Sequence, residues 1–304
     1  KEILCVSIPM SLTPILSTIN KNIDSVTVVR GLKNFMSESM AKAEYGILTG
    51  KVDTLVTMPM SFNIAFTTAL VPSVSSAKAT GEWKNAKKRI EFSILITILI
   101  GLPCSIGMII FAQPILNLLF PNQVSGAFIL QVSATSILFI VLEQTISGVL
   151  QGIGKPMVPA IALSIGVIVK FIINSVLIPV NPKEFLFGGT SGAAIATTIC
   201  HMIASIIDIK IMKKYIKLEI NKKDYIIKPI LACIMMGICS ICTYKILLSI
   251  ISEKLCTIIS IFVAIVVYIM SALCLKIFSK SNMYMIPFGQ KLYKILQFVG
   301  IYAE

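Results

Sequence analysis

Polar and charged side chains occur at helical spacing inside otherwise apolar stretches of this sequence. In "STINKNIDSV", Asn20 and Asp24 are four residues apart, and an α-helix would place them on one face. Lys21 and Asp24 are three residues apart and could form a salt bridge on the same helix. This segment is therefore either an internal salt bridge near one end of an apolar span, or the polar wall of a water-filled cavity, or both.

A second charged pair lies in "TGKVDTLV", where Lys51 and Asp53 are two residues apart. Residues at that spacing point to nearly opposite sides of a helix and cannot simply neutralise each other. At least one of them must then contact another helix, water or a ligand. The alternative is that the helix begins later, which would leave both side chains at the outer interface, where Lys can extend to water.

Two further apolar stretches carry buried charge. Glu143 lies deep in "VLEQTISGVLQG", and Lys170 and Asn174 are four residues apart in "VIVKFIINSV". Lys170 is near the middle of its stretch, so either a hydrated cavity or an acidic partner such as Glu143 would have to accommodate it. His201 follows the small-residue segment "GGTSGAAIATTIC", which favours close helix packing and predicts a hydrogen-bonded structural histidine.

These side chains are expected to share one aqueous cavity. An ionised side chain at the centre of a bilayer costs about 2.5–3.5 kcal/mol or more, and several of them are easier to keep if they share water and one another. The predicted cavity residues are Asn20, Lys21, Asp24, Lys51, Asp53, Glu143, Lys170 and Asn174.

The elements that must position these residues are membrane helices. The chain has 304 residues, of which 56% are hydrophobic and 13% charged, and its mean hydropathy is +0.89. A soluble domain needs more polar surface than this. Stretches long enough to cross a bilayer as helices predict eight spans, at about 3–29, 45–74, 91–112, 124–151, 157–180, 188–209, 227–250 and 255–276.

The basic residues alternate between the two sides of these predicted spans. Of the 27 Lys and Arg residues, 18 fall on one side, called here the lysine-rich side, six on the other, and three within spans. This bias predicts that the lysine-rich side and both ends of the chain are cytoplasmic. Because the charges follow the loops and form no single basic patch, the formal net charge of +13 does not indicate nucleic-acid binding.

Enzymatic chemistry has little support in the sequence. There is no HExxH or GxSxG motif, the loops are too short for a catalytic domain, and a single His cannot build a metal site. The eight Cys residues lie mostly in apolar stretches and are interpreted as small buried side chains. We therefore expect neither a cofactor nor a metal.

Three segments make up the predicted organisation. Residues 1–213 form a six-span bundle, residues 214–278 a basic loop with two further spans, and residues 279–304 an amphipathic helix on the inner membrane surface. The chain starts with "KEILCVSIPM", almost inside a span, and is interpreted as part of a longer protein.

Longer motifs resemble a known superfamily of exporters. "ALVPSVSSAKATGEWKNAKKRI" and "GVLQGIGKPMVPAIALSIGVIVKFIINSVLIP" are similar to a span end with its basic loop, and to an LQG-G-P turn with its helix, in the multidrug/oligosaccharidyl-lipid/polysaccharide exporter superfamily. "GGTSGAAIATTI" fits the next span. "YGILTG", "PILNLLF" and "PFGQKL" resemble the stage V sporulation protein B group in particular.

The resemblance implies a fold, a substrate and partners. It implies a MATE-like flippase of about fourteen helices, of which this chain holds the second six-helix lobe and two extra helices, the first lobe being absent. It implies translocation of undecaprenyl-pyrophosphate-linked saccharides, such as lipid II, across the bacterial cytoplasmic membrane, for cell-wall or spore-cortex peptidoglycan, with membrane lipids as further partners. Asn20 and Asp24 match an Asn–Asp pair of the related lipid II flippases, whereas Thr54 stands where those carry a basic residue.

Two other functions remain open at this point. A multidrug or organic-cation antiporter on the same fold would need an aromatic cavity dominated by carboxylates, and the charges within these spans balance instead. A non-transporting scaffold for envelope assembly would gain little from charges deep in several spans. A cavity with cationic walls suits a pyrophosphate, because Lys binds phosphate as a point charge.

Overall fold

The computed structural model describes residues 2–121 and 125–283, together with Met285 and Gln297, and in this part of the chain it is helical without strands. The helices are α1 (Glu2–Leu32), α2 (Glu38–Ile47), α3 (Asp53–Thr80), α4 (Trp83–Ile110), α5 (Ala112–Leu119), α6 (Ala127–Ala134), α7 (Ser136–Gly152), α8 (Met157–Leu177), α9 (Thr190–Tyr215), α10 (Lys228–Leu248), α11 (Glu253–Cys274) and α12 (Lys280–Met283). Two π-helical turns, Leu48–Val52 and Lys223–Ile227, precede α3 and α10.

Seven helical stretches of the described residues are long and apolar enough to cross a membrane. They correspond to the second through eighth predicted spans, which makes this a multi-pass membrane protein. The first predicted span lies in α1, a helix of 31 residues that is not among those seven. Eight crossings therefore remain a prediction, as does the orientation of the two ends.

The chain divides into two compact units. The first comprises Lys1–Leu116 and Phe120–Leu218, and the second Asn117–Leu119 and Glu219–Glu304. The division falls just after α9, close to the predicted boundary at residue 213. The assignment of these units to a transporter lobe and an additional helix pair remains a prediction.

Helix α7 occupies a central place in the first unit, because it packs on α3, α4 and α9. Helix α9 packs on α8 and α6, and α8 packs on α1. Apolar side chains such as Val28, Val52, Leu116, Ile137 and Ile178 are buried in one cluster at these contacts. This packing brings α1, α3, α7, α8 and α9 around the polar residues that the sequence singled out.

Several predicted spans are interrupted or extended in the structure. The span predicted at 45–74 is α2 and α3 joined by a π-helical turn, and the one predicted at 124–151 is interrupted at Thr135, between α6 and α7. Helix α9 continues to Tyr215, six residues beyond the predicted end at residue 209. A helix can continue beyond its most apolar stretch when one of its faces packs in the bundle. A helix end predicted from hydropathy alone therefore comes too early in the chain.

The second unit contains the antiparallel neighbours α10 and α11. Small side chains are buried along both, including Cys233, Gly237, Cys256 and Ser260, and the Cys256 thiol reaches the Tyr244 carbonyl at 3.1 Å. Small residues allow close approach of membrane helices. The predicted amphipathic tail at 279–304 lies almost entirely outside the described residues.

Candidate functional site

A polar cavity of about 470 Å³ opens in the first unit between α1, the π-helical turn with α3, α6, α7, α8 and α9. Its volume is in the range of small-molecule pockets. Ionisable groups at its wall are Lys21, Asp24, Tyr45, Asp53, Lys170 and His201. Hydroxyls and amides supply most of the other polar lining, from Ser17, Asn20, Asn22, Thr49, Thr54, Thr57, Ser133, Ser136 and Thr197.

Lys170 is held by groups on the facing helix α1. Its ammonium donates to Asp24 Oδ2 at 2.5 Å and to the carbonyl of Asn20 at 3.2 Å. Its side chain is 1% exposed and that of Asp24 is 14% exposed. An ammonium buried to this degree is tolerable only when paired and hydrogen-bonded, and Asp24 supplies both requirements.

The second oxygen of Asp24 is bound as well. Asn174, one turn after Lys170, donates its amide to Asp24 Oδ1 at 3.0 Å and to the hydroxyl of Thr27 at 3.0 Å. Lys170 and Asn174 therefore bind the same carboxylate from one face of α8, as their four-residue spacing predicts. The sequence left the partner of Lys170 open between a cavity and an acid such as Glu143, and the structure places Asp24 there.

Close contact between α8 and α9 positions Lys170. Gly166 lies one turn before it, and a Cβ at this glycine would come within 2.6 Å of the Cys200 carbonyl on α9. Only a glycine permits this separation of the two backbones. As a consequence, α8 packs closely on α9 at Gly166, and Lys170 in the next turn of α8 contacts α1.

Glu143 pairs with His201 at the edge of the cavity. The Glu143 Oε2 and His201 Nδ1 atoms are 2.5 Å apart, and His201 Nε2 lies 3.4 Å from the amide nitrogen of Asn20. The histidine is thus hydrogen-bonded, as predicted from its surroundings, and it also lines the cavity. Asn20, His201 and Glu143 join α1 to α7 through α9.

The π-helical turn places the side chains of Lys51 and Asp53 in different surroundings. The Asp53 amide donates to the Leu48 carbonyl, five residues back, so one extra residue is inserted at this turn. Lys51 is buried at 7% exposure, with its ammonium 5.3 Å from the Phe120 ring centroid. Asp53 is exposed on the cavity wall instead.

Lys21 is a cavity-wall cation that is available to bind a ligand. Its side chain is exposed on α1 and lines the cavity, and within the described residues it makes no ion pair. The salt bridge considered between Lys21 and Asp24 does not form, because Asp24 is paired with Lys170. Lys21 can therefore contact a ligand in the cavity without first losing a partner.

The cavity wall includes five of the eight predicted residues: Asn20, Lys21, Asp24, Asp53 and Lys170. The other three stand behind it. Asn174 is bound to Asp24, Glu143 to His201, and Lys51 lies over an aromatic ring. The role of all eight in binding a substrate remains a prediction.

A second buried polar cluster was missed by the sequence analysis. Asn63 on α3 is fully buried, and its amide nitrogen lies within 3.0–3.1 Å of the Val141 carbonyl, Gln144 Oε1 and the Thr145 hydroxyl on α7. The Thr97 hydroxyl on α4 reaches Asn63 Oδ1 at 2.9 Å. This neutral network joins three helices, and nothing in a lone Asn of an apolar stretch distinguishes it beforehand.

Asp208 on α9 was also missed. Its side chain is 0% exposed, and neither carboxylate oxygen has a hydrogen-bond partner in the described part of the chain. The predicted end of this span at residue 209 placed Asp208 at the membrane interface. Because α9 continues to Tyr215, the carboxyl is inside the helix bundle.

Comparison with known proteins agrees with this architecture. The family model described as "Lipid II flippase MurJ" matches residues 50–286. A solved structure of the lipid II flippase MurJ in an inward closed conformation superposes with a TM-score of 0.64 at 18% identity, covering 88% of this chain and 52% of that one. The all-α membrane fold is therefore that of a MurJ-like protein.

Related sequences come from Bacillus subtilis strain 168. The membrane protein YabM is 26% identical over 304 residues, covering 98% of this chain and 55% of its own length. Stage V sporulation protein B is 22% identical, covering 74% of this chain and 42% of its own length, and the lipid II flippase MurJ is 22% identical, covering 64% and 35%. The chain thus spans about half the length of the curated relatives it matches, or less. Since the family model covers most of its residues, this chain belongs to the MurJ lipid II flippase family.

Proposed function

We propose that the protein translocates a polyprenyl-pyrophosphate-linked saccharide, as a lipid II flippase does, and that the cavity of the first unit binds its anionic head group. Membership of the family supports the class of function. The observation that carries the choice of substrate is the state of the two cavity lysines: Lys170 neutralises Asp24, and Lys21 has no ion pair with a described residue.

The charge distribution favours an anionic head group over an organic cation. A cation site needs an excess of carboxylate. Asp24 has already accepted an ammonium and an amide, and Asp53, the other carboxylate at this wall, is matched in number by Lys21. Tyr45 is the aromatic residue at this wall, whereas drug cations are held by several aromatic faces. Hydroxyl and amide groups, which supply most of the uncharged polar lining, match the hydroxyls of a saccharide.

Lys21 is assigned to the pyrophosphate. A flexible ammonium exposed to the cavity can contact phosphate oxygens as a point charge. Asp53 also faces the cavity and is assigned to the saccharide, whose O–H and N–H groups can donate to its carboxylate. The lipid tail would remain in the bilayer beside the unit. A preceding lobe, cytoplasmic ends and a role in peptidoglycan or spore-cortex synthesis remain predictions of the family resemblance.

Reconstituted transport tests this proposal. The complete natural protein in liposomes should move a labelled undecaprenyl-pyrophosphate saccharide between leaflets, measured by its accessibility to an external glycosidase. Lys21→Gln should slow this transport by a factor of roughly 10 to 100, since hydrogen bonds to charged groups contribute about 1.5–3 kcal/mol. The matched control is Lys42→Gln, an exposed lysine away from the cavity lining, which should transport normally.

Two outcomes would overturn the assignment. If Lys21→Gln and Lys42→Gln transport equally well, Lys21 does not bind the head group. If the unaltered protein leaves the lipid-linked saccharide in place but expels an organic cation such as ethidium, the antiporter is the correct function.

A further inference from the structure

Asp208 is the one carboxyl group of the described residues that is both fully buried and without a hydrogen-bond partner at either oxygen. It is separate from the cavity, whose lining does not include it. The desolvation free energy of an ionised, uncompensated carboxylate in this position would exceed the folding stability of a typical domain. The group must therefore hold a proton or a bound cation.

Asp208 shares a helix face with the histidine of the cavity. His201, Ser205 and Asp208 are spaced by four and three residues on α9, which places them in one row. The seven-position separation of His201 and Asp208 corresponds to about 10 Å along the axis. Ser205 lies between them and is buried. The row runs from the cavity towards the lysine-rich end of α9, which carries Lys213 and Lys214 in its last turn.

His201, at the cavity end of this row, can take up a proton without losing its hydrogen bonds. With a proton on Nδ1, His201 donates to Glu143, and its Nε2 accepts from the Asn20 amide. The Asn20 Oδ1 atom has no hydrogen-bond partner in the described residues. If Nε2 gains a proton, rotation of the Asn20 amide presents this oxygen to it, so both charge states of the imidazole are accommodated.

The surrounding charges leave an excess of acid at this interface. On the helices packed against α9, α7 carries Glu143, α8 carries Lys170, α6 has no ionisable side chain, and α1 brings Lys21 and Asp24 to the cavity that His201 lines. Lys170 is matched by Asp24 of α1. These helices thus carry two carboxyls, Glu143 and Asp208, for one imidazole, and only Glu143 is in contact with it.

We propose that Asp208 and the Glu143–His201 pair form a proton-binding site between α7 and α9, and that protons pass through it between the cavity and the lysine-rich side. His201 takes a proton at Nε2 from cavity water and releases its Nδ1 proton to Glu143. Glu143 then gives up one proton, which passes along the row holding Ser205 to Asp208, and Asp208 releases it towards the lysine-rich side. No bond other than those to the moving proton is made or broken.

A proton fits this site better than a metal cation. Within the described residues there is no group of three or more His, Cys, Asp or Glu side chains that could hold a metal, and sodium or calcium would need several oxygens around Asp208. The site rests on the burial of Asp208 without a partner and on the contacts of His201 with Glu143 and Asn20. Its coupling to movement of a lipid-linked saccharide rests on the proposed function.

A hydrophobic carbodiimide tests the site without any substrate, because it modifies carboxyl groups that are protonated in apolar surroundings. In the complete protein in liposomes, mass spectrometry should find the adduct at Asp208 at neutral pH, with less of it at alkaline pH. Glu38, an exposed carboxylate paired with Lys33 and Lys42, is the internal control and should stay unmodified. Absence of an adduct at Asp208 at every pH would overturn the proton site.

Transport under an imposed pH gradient tests the coupling. The gradient should accelerate saccharide movement by the unaltered protein and have no effect on Asp208→Asn. The control Asp224→Asn, at a partly exposed ion pair with Lys228 outside the first unit, should respond normally. Replacing sodium by choline should change nothing, and loss of transport in choline would overturn the choice of a proton.

Failure of the two proposals can be told apart. If the unaltered protein moves no lipid-linked saccharide while Asp208 is still modified, the proposed function fails and the proton site stands. If transport occurs but ignores the gradient, and Asp208 is unmodified, the proton inference fails and the proposed function stands.

Discussion

Two buried polar regions of the first unit satisfy their polar groups across helices in different ways. The charged cluster of Asp24, Lys170 and Asn174 joins α1 to α8 and faces the cavity. The neutral network of Asn63, Thr97 and Thr145 joins α3, α4 and α7 in the interior. Both satisfy buried polar groups across helices, but only the first retains ionised groups next to water.

Under the proposed function, this difference separates a binding surface from a structural junction. Amides and hydroxyls can bind one another completely without charge, and such a network specifies helix contacts at small cost. An ion pair adds a desolvation cost that apolar residues of the same size would avoid. Its retention at a cavity wall is therefore better explained by what the cavity binds than by stability.

The largest effect is expected from breaking the charged cluster on one side. Lys170→Leu leaves Asp24 half-buried without its ammonium and should lower the free energy of unfolding by about 3–5 kcal/mol, measured by denaturation in detergent. The double variant Asp24→Leu with Lys170→Leu should recover most of this loss, because no unpaired charge remains. Transport should be lost in both.

The double variant decides how the cluster is used. Recovered stability together with recovered transport would show that the charges are structural and that apolar residues replace them. Recovered stability without transport separates the two roles, and no recovery of stability would contradict the view that Asp24 and Lys170 mainly compensate each other.

The neutral network should show the opposite pattern. Asn63→Ala removes the group at its centre and leaves the Thr97 and Thr145 hydroxyls and Gln144 with fewer partners. We expect a loss of about 1–3 kcal/mol in unfolding free energy. Transport per folded molecule should be unchanged, measured after correction for the folded fraction. A loss of transport in a stable Asn63→Ala protein would place the network in the mechanism and remove the contrast.

The sequence was sufficient for the parts of this picture that depend on helical period. Hydropathy located seven of the spans, and four-residue spacing placed Lys170 and Asn174 on one face. The partner of Lys170 could not be read in the same way. Asp24 is 146 residues away in the chain, and which of two acids meets the lysine depends on how α1 and α8 pack.

Local irregularities account for the other differences. A π-helical turn has no strong sequence signal, so the directions of Lys51 and Asp53 were left open. Asp208 was hidden because the apolar signal fades before α9 ends. Asn63 gave no signal, because a neutral amide in an apolar stretch is common and its importance arises only from Thr97 and Thr145 on other helices.

A smaller effect is expected from trimming the charged cluster. Asn174→Ala removes the amide from Asp24 Oδ1 but keeps the bond from Lys170 to the other oxygen. We expect a loss of about 0.5–1.5 kcal/mol in unfolding free energy and a partial loss of transport. The control Ser175→Ala changes the neighbouring exposed hydroxyl, which binds only its own helix at Phe171. Equal behaviour of the two variants would show that Asn174 does not support Asp24.

The smallest perturbation tests directly whether the two regions differ in access to water. Ser17→Cys and Thr67→Cys are close in size to the residues they replace. Position 17 is exposed on the cavity wall, whereas position 67 is buried beside Asn63. In a background without the eight native cysteines, both variants should fold and transport almost normally. A small charged thiol reagent, which reacts only with a hydrated thiolate, should modify position 17 quickly and position 67 hardly at all, as measured by mass spectrometry of the intact protein. Equal rates at the two positions would mean that water reaches the neutral network as well, and the ion pair of Asp24 and Lys170 could then no longer be explained by its place beside water.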